Sequence, residues 1–113
     1  MEELITKVRE FRQERNWGQY HSPKNLAMAL MVETAELAEH FQWLTEEQSS
    51  SLPHEKLAEV RDEIGDVLIY LVNLCDRLGI DPMAAANEKL EKNKEKYPAA
   101  RVRGKHLKYT EYK

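Results

Sequence analysis

The sequence predicts an all-α protein, a four-helix bundle that is completed by oligomerisation. Apolar residues recur at helical spacing along most of the chain, and only four glycines and four prolines interrupt it. No Asn-Gly or Asp-Gly pair marks a β-hairpin. A chain of 113 residues with 42% apolar residues builds one modest core and leaves part of its apolar surface uncovered. We therefore expect one helical domain whose exposed apolar stripe ends in a subunit interface.

The first helix is predicted over about residues 2–16. Its apolar side is formed by Leu4, Val8 and Phe11. The pattern fades at Asn16-Trp17-Gly18, and a short loop follows.

Ser22 and Pro23 predict the start of the second helix, which we expect to run to about Leu44. The serine side chain can accept from free backbone N–H groups, and a proline at the first helical position has no N–H to leave unpaired. The apolar stripe of this helix consists of Leu26, Leu30, Leu37 and Phe41. Glu33 interrupts that stripe, so its carboxylate requires a neutralising partner.

The third helix is predicted from about His54 to Leu78, after a polar connector over residues 45–53. Its buried side is expected to contain Val60, Ile64, Val67, Leu71 and Leu74. Glu63 and Asp66 flank that side, and Gly79 ends the helix.

The fourth helix is predicted to begin at Asp81 and Pro82, again as a cap followed by proline, and to end near Tyr97. We therefore expect a helical domain over residues 1–98 and a basic C-terminal tail over residues 99–113.

Charge is distributed unevenly along the chain. Residues 1–87 carry 16 acidic and 8 basic side chains, whereas residues 88–113 carry 4 acidic and 9 basic ones. The acidic body argues against polynucleotide binding, and a small anionic ligand suits both halves.

Hydropathy argues against a membrane protein. No apolar run reaches the roughly 18 residues that a membrane span needs, and the N-terminus lacks the order of a signal peptide. We expect a soluble, cytoplasmic protein. The single cysteine, Cys75, cannot form an internal disulfide and is interpreted as a small buried residue.

Two acidic pairs, Glu33 with Glu36 and Glu63 with Asp66, carry the chemistry. Residues three apart lie on one helix face, so antiparallel packing could bring the pairs together. Clustered carboxylates need a cation, and hard oxygen ligands suit Mg²⁺ or Mn²⁺. The alternative is a solvated acidic face, which the position of Glu33 inside an apolar stripe disfavours.

These motifs resemble the MazG-like all-α nucleoside triphosphate pyrophosphohydrolases, and within them the dCTP pyrophosphatase branch. An ExxE motif in VETAELAEHFQW precedes an ExxD motif in RDEIGDVLIYLVNL. The resemblance extends to FRQERNWGQYHSPKNLAMAL before them, and to NEKLEKNKEKYP and KYTEY after them. It implies hydrolysis of a nucleoside triphosphate, preferably dCTP or a modified cytosine deoxynucleotide, to monophosphate and pyrophosphate in nucleotide-pool house-cleaning. It also implies a homodimer or homotetramer.

The resemblance implies that Glu33, Glu36, Glu63 and Asp66 hold Mg²⁺, with Mn²⁺ as a substitute, and that the ion activates a water. Glu36 or Glu63 would accept the proton from that water as the catalytic base, and the sequence leaves both open.

Aromatic and histidine side chains are the candidates for nucleoside binding. Trp17 and Trp43 match positions that face the nucleobase in the dCTP-preferring branch, where indole can stack on a base. The alternative for both is simple packing. His21 could hydrogen-bond base or phosphate, or else be a surface loop side chain. Tyr70, one turn after Asp66, could reach the sugar or a phosphate, or else be a core aromatic.

The fourth helix presents a basic strip. Lys89, Lys92 and Asn93 are candidate triphosphate ligands, and the alternative is a solvated face. Tail residues, including Tyr109, receive no role.

Two other functions stay open on the sequence alone. The acids could be the surface charge of a non-catalytic helical interaction or regulatory protein. The same chemistry could also act on dUTP or on a broad set of triphosphates.

Overall fold

The computed structural model describes residues 1–104, in which all regular secondary structure is helical. The helices are α1 (Glu2–Glu14), α2 (Pro23–Glu39), α3 (Glu46–Ser49), α4 (His54–Leu78), α5 (Pro82–Lys96) and α6 (Ala99–Val102). The described part of the chain contains no strand, which confirms the all-α prediction. Residues 105–113 of the predicted tail, including Tyr109, lie outside the described residues.

The described residues form two units. In the first, Met1–Ile80, both α1 and α2 pack against α4. The second unit starts at Asp81 and contains α5 and the short α6, which falls within the predicted tail. The division into residues 1–98 and 99–113, and a bundle completed by oligomerisation, stay predictions.

Helix ends are set by local hydrogen bonds at the expected residues. Oγ of Ser22 accepts from the backbone N–H of Asn25 at 3.2 Å at the start of α2. Asp81 caps α5 by accepting from two backbone N–H groups through Oδ1, at 2.9 and 3.2 Å. Gly79 ends α4 in the left-handed region with φ 68°, where glycine is favoured because it has no Cβ.

Two features of the region after α2 differ from the prediction. The helix ends at Glu39 and not near Leu44, because the N–H groups of Phe41 and Gln42 both bond to the carbonyl of Ala38, which tightens the chain into turns. The predicted connector also contains the short α3, which is capped by Thr45 through a reciprocal bond with Gln48.

The core of the first unit is small. Leu26 and Val72 are fully buried, and Val8 and Val60 are nearly so. The predicted burial of Ile64 and Leu71 is wrong within one chain, since they are 52% and 39% exposed. Phe11, on the expected apolar side of α1, is also exposed. The physical reason is that two packed helices cover only part of the circumference of α4.

Candidate active site

Three of the four predicted metal ligands converge where α2 packs on α4. Glu33 and Glu36 lie one turn apart on α2, and Glu63 faces them from α4. One carboxylate oxygen from each lies within 4.8 Å of the others. We call Glu33, Glu36 and Glu63 the carboxylate cluster.

The fourth predicted ligand, Asp66, lies outside this cluster but acts on it. Burial, with the charges of Glu36, Asp66 and Glu63, raises the pKa of Glu33 from 4.5 to about 6. Burial also raises the pKa of Glu63, and the charges of Glu36 and Asp66 add to that effect. The charge of Asp66 therefore acts on both carboxylates, although its own oxygens are not among those within 4.8 Å of one another.

The carboxylate cluster suits a hard divalent cation. Oε2 of Glu33 and Oε2 of Glu63 are buried and have no hydrogen-bond partner among residues 1–104. A buried carboxylate oxygen without a donor is unfavourable, and a cation would neutralise both. All the candidate ligands are carboxylate oxygens, the donor type that Mg²⁺ and Mn²⁺ prefer.

His40 borders the cluster and was not singled out by the sequence patterns. Its Nδ1 lies 3.2 Å from Nζ of Lys56, and its Nε2 lies 3.9 Å from Oε1 of Glu63. An ammonium group only donates, so Nδ1 accepts and Nε2 carries the proton. Nε2 is too far from Glu63 for a hydrogen bond, and Nδ1 also lies 3.7 Å from Oε2 of Glu59.

A cavity of about 370 Å³ lies between α1, the loop after it, and α4, and we call it the α1–α4 cavity. It brings together four predicted site residues: Trp17, His21, Asp66 and Tyr70. Its apolar lining comes mainly from Leu4, Val8, Phe11 and Ile69. The Trp17 ring packs edge-on against Phe11 and His21, with centroids 5.6 and 5.9 Å apart. Three charged side chains, Lys7, Arg12 and Asp66, are also part of the lining. An aromatic, largely apolar cavity suits a planar heterocycle.

Arg12 and Asn73 also line the α1–α4 cavity, and sequence reasoning missed both. Arg12 continues the four-residue spacing of Leu4 and Val8, so a cation inside an apolar stripe was the available signal. Its guanidinium bonds to Asn73 and, at 3.0 Å, to Asp76. Hydrogen bonds from Arg9 and Arg12 hold the pKa of Asp76 below its usual value, against the effect of burial.

The other predicted nucleotide ligands are not among the residues that line this cavity. Trp43 is 86% exposed in the turn after α2. Lys89, Lys92 and Asn93 lie on α5 in the second unit, with both lysines exposed and Asn93 half-buried. None of the described helices is long and apolar enough to cross a membrane.

Comparison with known proteins supports the interpretation of these motifs. The sequence profile of the MazG-like family matches residues 28–111, which include all four predicted metal ligands. dCTP pyrophosphatase 1 from Mus musculus is 43% identical over 104 residues, and that from Homo sapiens is 44% identical over 105 residues. Both alignments cover 90% of this chain but only 61% of the relative, so the chain spans about three fifths of their length.

A solved structure gives the same result at the level of the fold. The crystal structure of a pyrophosphatase from Archaeoglobus fulgidus superposes with a TM-score of 0.82 at 48% sequence identity. The match covers 87% of this chain and 92% of that one. With its ExxE and ExxD motifs meeting between α2 and α4, the chain belongs to the MazG-like family.

Proposed function

We propose that the chain is a Mg²⁺-dependent nucleoside triphosphate pyrophosphohydrolase that converts its substrate to a nucleoside monophosphate and pyrophosphate. The observation that carries the proposal is the carboxylate cluster, whose Asp66 neighbour also lines the aromatic α1–α4 cavity. The substrate we propose is dCTP or a modified cytosine deoxynucleotide, and the names of the relatives support it. We propose that this house-cleaning of the nucleotide pool takes place in the cytoplasm.

Glu33, Glu36, Glu63 and Asp66 would hold the metal. When bound, Mg²⁺ supplies charge neutralisation at the phosphate oxygens and lowers the pKa of an attacking water. Glu36 or Glu63 accepts the proton from that water, and both remain candidates for the base.

The α1–α4 cavity takes the nucleoside. Trp17 stacks on the base, a contact that contributes about 1 to 3 kcal/mol per base in proteins that bind single-stranded nucleic acid. The Tyr70 hydroxyl would contact the sugar, and an aromatic ring packed under the sugar would disfavour a 2′-hydroxyl. On α5, Lys89, Lys92 and Asn93 supply donors for the triphosphate.

Exposed apolar side chains support a homodimer or homotetramer. On α2 they lie three and four residues apart, and on α4 they follow a similar stripe: Met28, Met31, Val32, Ile64, Leu68 and Leu71. Burying these side chains against a second copy supplies the apolar contact that one chain lacks. In such an assembly Trp43 contacts the site of a neighbouring subunit. Sedimentation of a fully active monomer would argue against the assembly.

A substrate panel tests the activity. Purified protein with Mg²⁺ is given all canonical and several modified nucleoside triphosphates, and pyrophosphate release is measured. We expect dCTP or a modified cytosine deoxynucleotide to be hydrolysed fastest. Glu63→Gln should abolish release without unfolding the chain, whereas Glu55→Gln, at an exposed position of the same helix, should not change it. Unchanged turnover in Glu63→Gln would remove Glu63 from the mechanism.

The same panel separates the alternatives. Equal hydrolysis of dUTP and dCTP would keep the chemistry and change the substrate. No hydrolysis of any nucleotide, together with a melting temperature that ignores Mg²⁺ and nucleotide, would favour a non-catalytic interaction or regulatory protein.

A further inference from the structure

A buried hydrogen-bond network connects α1 and α4 to the loop that carries His21. Arg12 is 6% exposed and Asn73 is 4% exposed. Arg12 donates through Nη2 to Oδ2 of Asp76 at 3.0 Å and through Nη1 to Oδ1 of Asn73. Arg9 also donates to Asp76 through Nε, at 3.2 Å. The buried guanidinium is thus neutralised by Asp76 and held in one orientation.

The guanidinium determines which way the Asn73 amide faces. Arginine has only donors, so the Asn73 atom that meets it must be the carbonyl oxygen Oδ1. The amide nitrogen then faces the other way, toward the loop. There Nδ2 of Asn73 lies 2.9 Å from Nδ1 of His21.

The orientation of the Asn73 amide determines the protonation of His21. An amide NH₂ only donates, so Nδ1 of His21 must accept and carries no proton. The imidazole is therefore neutral, with its proton on Nε2. Burial, followed by the charges of Arg12 and Arg77, lowers the pKa of His21 and favours the same neutral state. Only one orientation of the Asn73 amide and one tautomer of His21 therefore pair every donor of this network with an acceptor.

We propose that Asn73, oriented by Arg12, is a positioning residue that holds His21 as a neutral ring donating through Nε2 to an acceptor atom of the substrate base. The inference rests on the proposed function, because His21, Asn73 and Trp17 line the cavity assigned to the base. A pyrimidine offers such acceptors in its ring carbonyl and ring nitrogen. The donor therefore selects for a base that presents an acceptor at this point of the cavity, and it orients the base against Trp17.

Nitrogen NMR tests the protonation state directly. Long-range ¹H–¹⁵N correlation at neutral pH reports which imidazole nitrogen carries the proton, and His21→Gln assigns the signals. We expect the proton of His21 on Nε2. Asn73→Asp keeps the shape but replaces the donor by a carboxylate that accepts from Nδ1, so a proton should appear on Nδ1. Asn87→Asp makes the same change at an exposed position of α5 and should leave His21 unchanged.

Binding of dCMP, the product of the proposed reaction, supplies the functional readout. In the wild type, binding of dCMP should perturb the Nε2 signal of His21. Asn73→Asp should lower the affinity for dCMP on the order of tenfold, as expected for the loss of one buried hydrogen bond. KM for dCTP should rise more than kcat falls. If Asn73→Asp does not fold, Asn73→Ala serves instead, because it removes the donor at Nδ1 and should leave a mixture of tautomers.

Two results would overturn the inference: a wild-type ring protonated on Nδ1, or an Asn73 variant whose tautomer changes while its affinity for dCMP does not. Both results can be told apart from failure of the proposed function. If the proposed function is wrong, the wild type hydrolyses no nucleotide, but the NMR still reports the tautomer of His21.

Discussion

Glu33 on α2 and Glu63 on α4 each bury a carboxylate oxygen that has no hydrogen-bond donor among residues 1–104. Both contribute a ligand atom to the carboxylate cluster, within 4.8 Å of each other and of Glu36. Neighbouring carboxylates disfavour each other's ionised form, so the packing of α2 on α4 carries an electrostatic cost at neutral pH. A divalent cation bound between the two helices would remove that cost.

Mg²⁺ is therefore expected to raise the melting temperature of the protein. A ligand that binds only the folded state stabilises it by about 2.7 kcal/mol when its concentration is a hundred times Kd. Glu33→Gln and Glu63→Gln should each lose most of this rise, whereas Glu10→Gln, at an exposed position of α1, should keep it. Calorimetry with and without Mg²⁺ measures the effect. A wild-type melting temperature that does not respond to Mg²⁺ would contradict the metal site.

Acidification is expected to stabilise the metal-free protein relative to Glu33→Gln. Burial and the neighbouring carboxylates raise the pKa of Glu33 to about 6 from 4.5, so the folded chain favours the protonated form. This contribution to stability is fully present below pH 4.5 and is lost as the pH rises through about 6. Urea unfolding in EDTA gives the free energy of unfolding of both proteins. Between pH 7 and 4.5 the free energy of unfolding of the wild type should rise relative to that of Glu33→Gln. A difference between the two proteins that does not change with pH would refute the prediction.

Comparison with Glu33→Gln is needed because other groups titrate in the opposite sense. Burial and then the charges of Arg12 and Arg77 lower the pKa of His21 from 6.5, so its contribution to stability is lost on acidification. His21 is present in both proteins, and its effect therefore cancels in the difference.

Local signals in the sequence predicted the starts of α2 and α5, because a helix cap depends on residues that are neighbours along the chain. Ser22 and Asp81 cap helices as expected, and Glu33 stood out because it interrupts an apolar stripe. The exposure of Ile64 was not predictable from periodicity, which identifies an apolar face but not what covers it. Asn73 was missed because its role depends on Arg12, 61 residues away in the sequence.

Asp76→Ala is expected to destabilise the chain by about 3 kcal/mol, since removal of one partner leaves a buried charge uncompensated. The charge left behind is the guanidinium of Arg12, whose side chain is almost fully buried. Arg9→Ala removes the more exposed partner of the same carboxylate and should have a much smaller effect. Urea unfolding of the three proteins measures both changes. Equal losses from Asp76→Ala and Arg9→Ala would show that Arg12 does not depend on Asp76.

Trp43 is expected to act on the site of a neighbouring subunit, which mixed oligomers can reveal. Its side chain is 86% exposed and does not line the α1–α4 cavity of its own chain. Trp43→Ala and Glu63→Gln should each reduce dCTP hydrolysis, and subunits mixed by denaturation and refolding should regain part of it, because some sites then combine an intact Trp43 with an intact Glu63. Trp17→Ala mixed with Glu63→Gln is the control. Trp17 and Glu63 are assigned to the same site of a single chain, so every site that keeps Glu63 lacks Trp17, and no activity should return. Equal recovery in both mixtures, or none in either, would contradict a contribution of Trp43 across the interface.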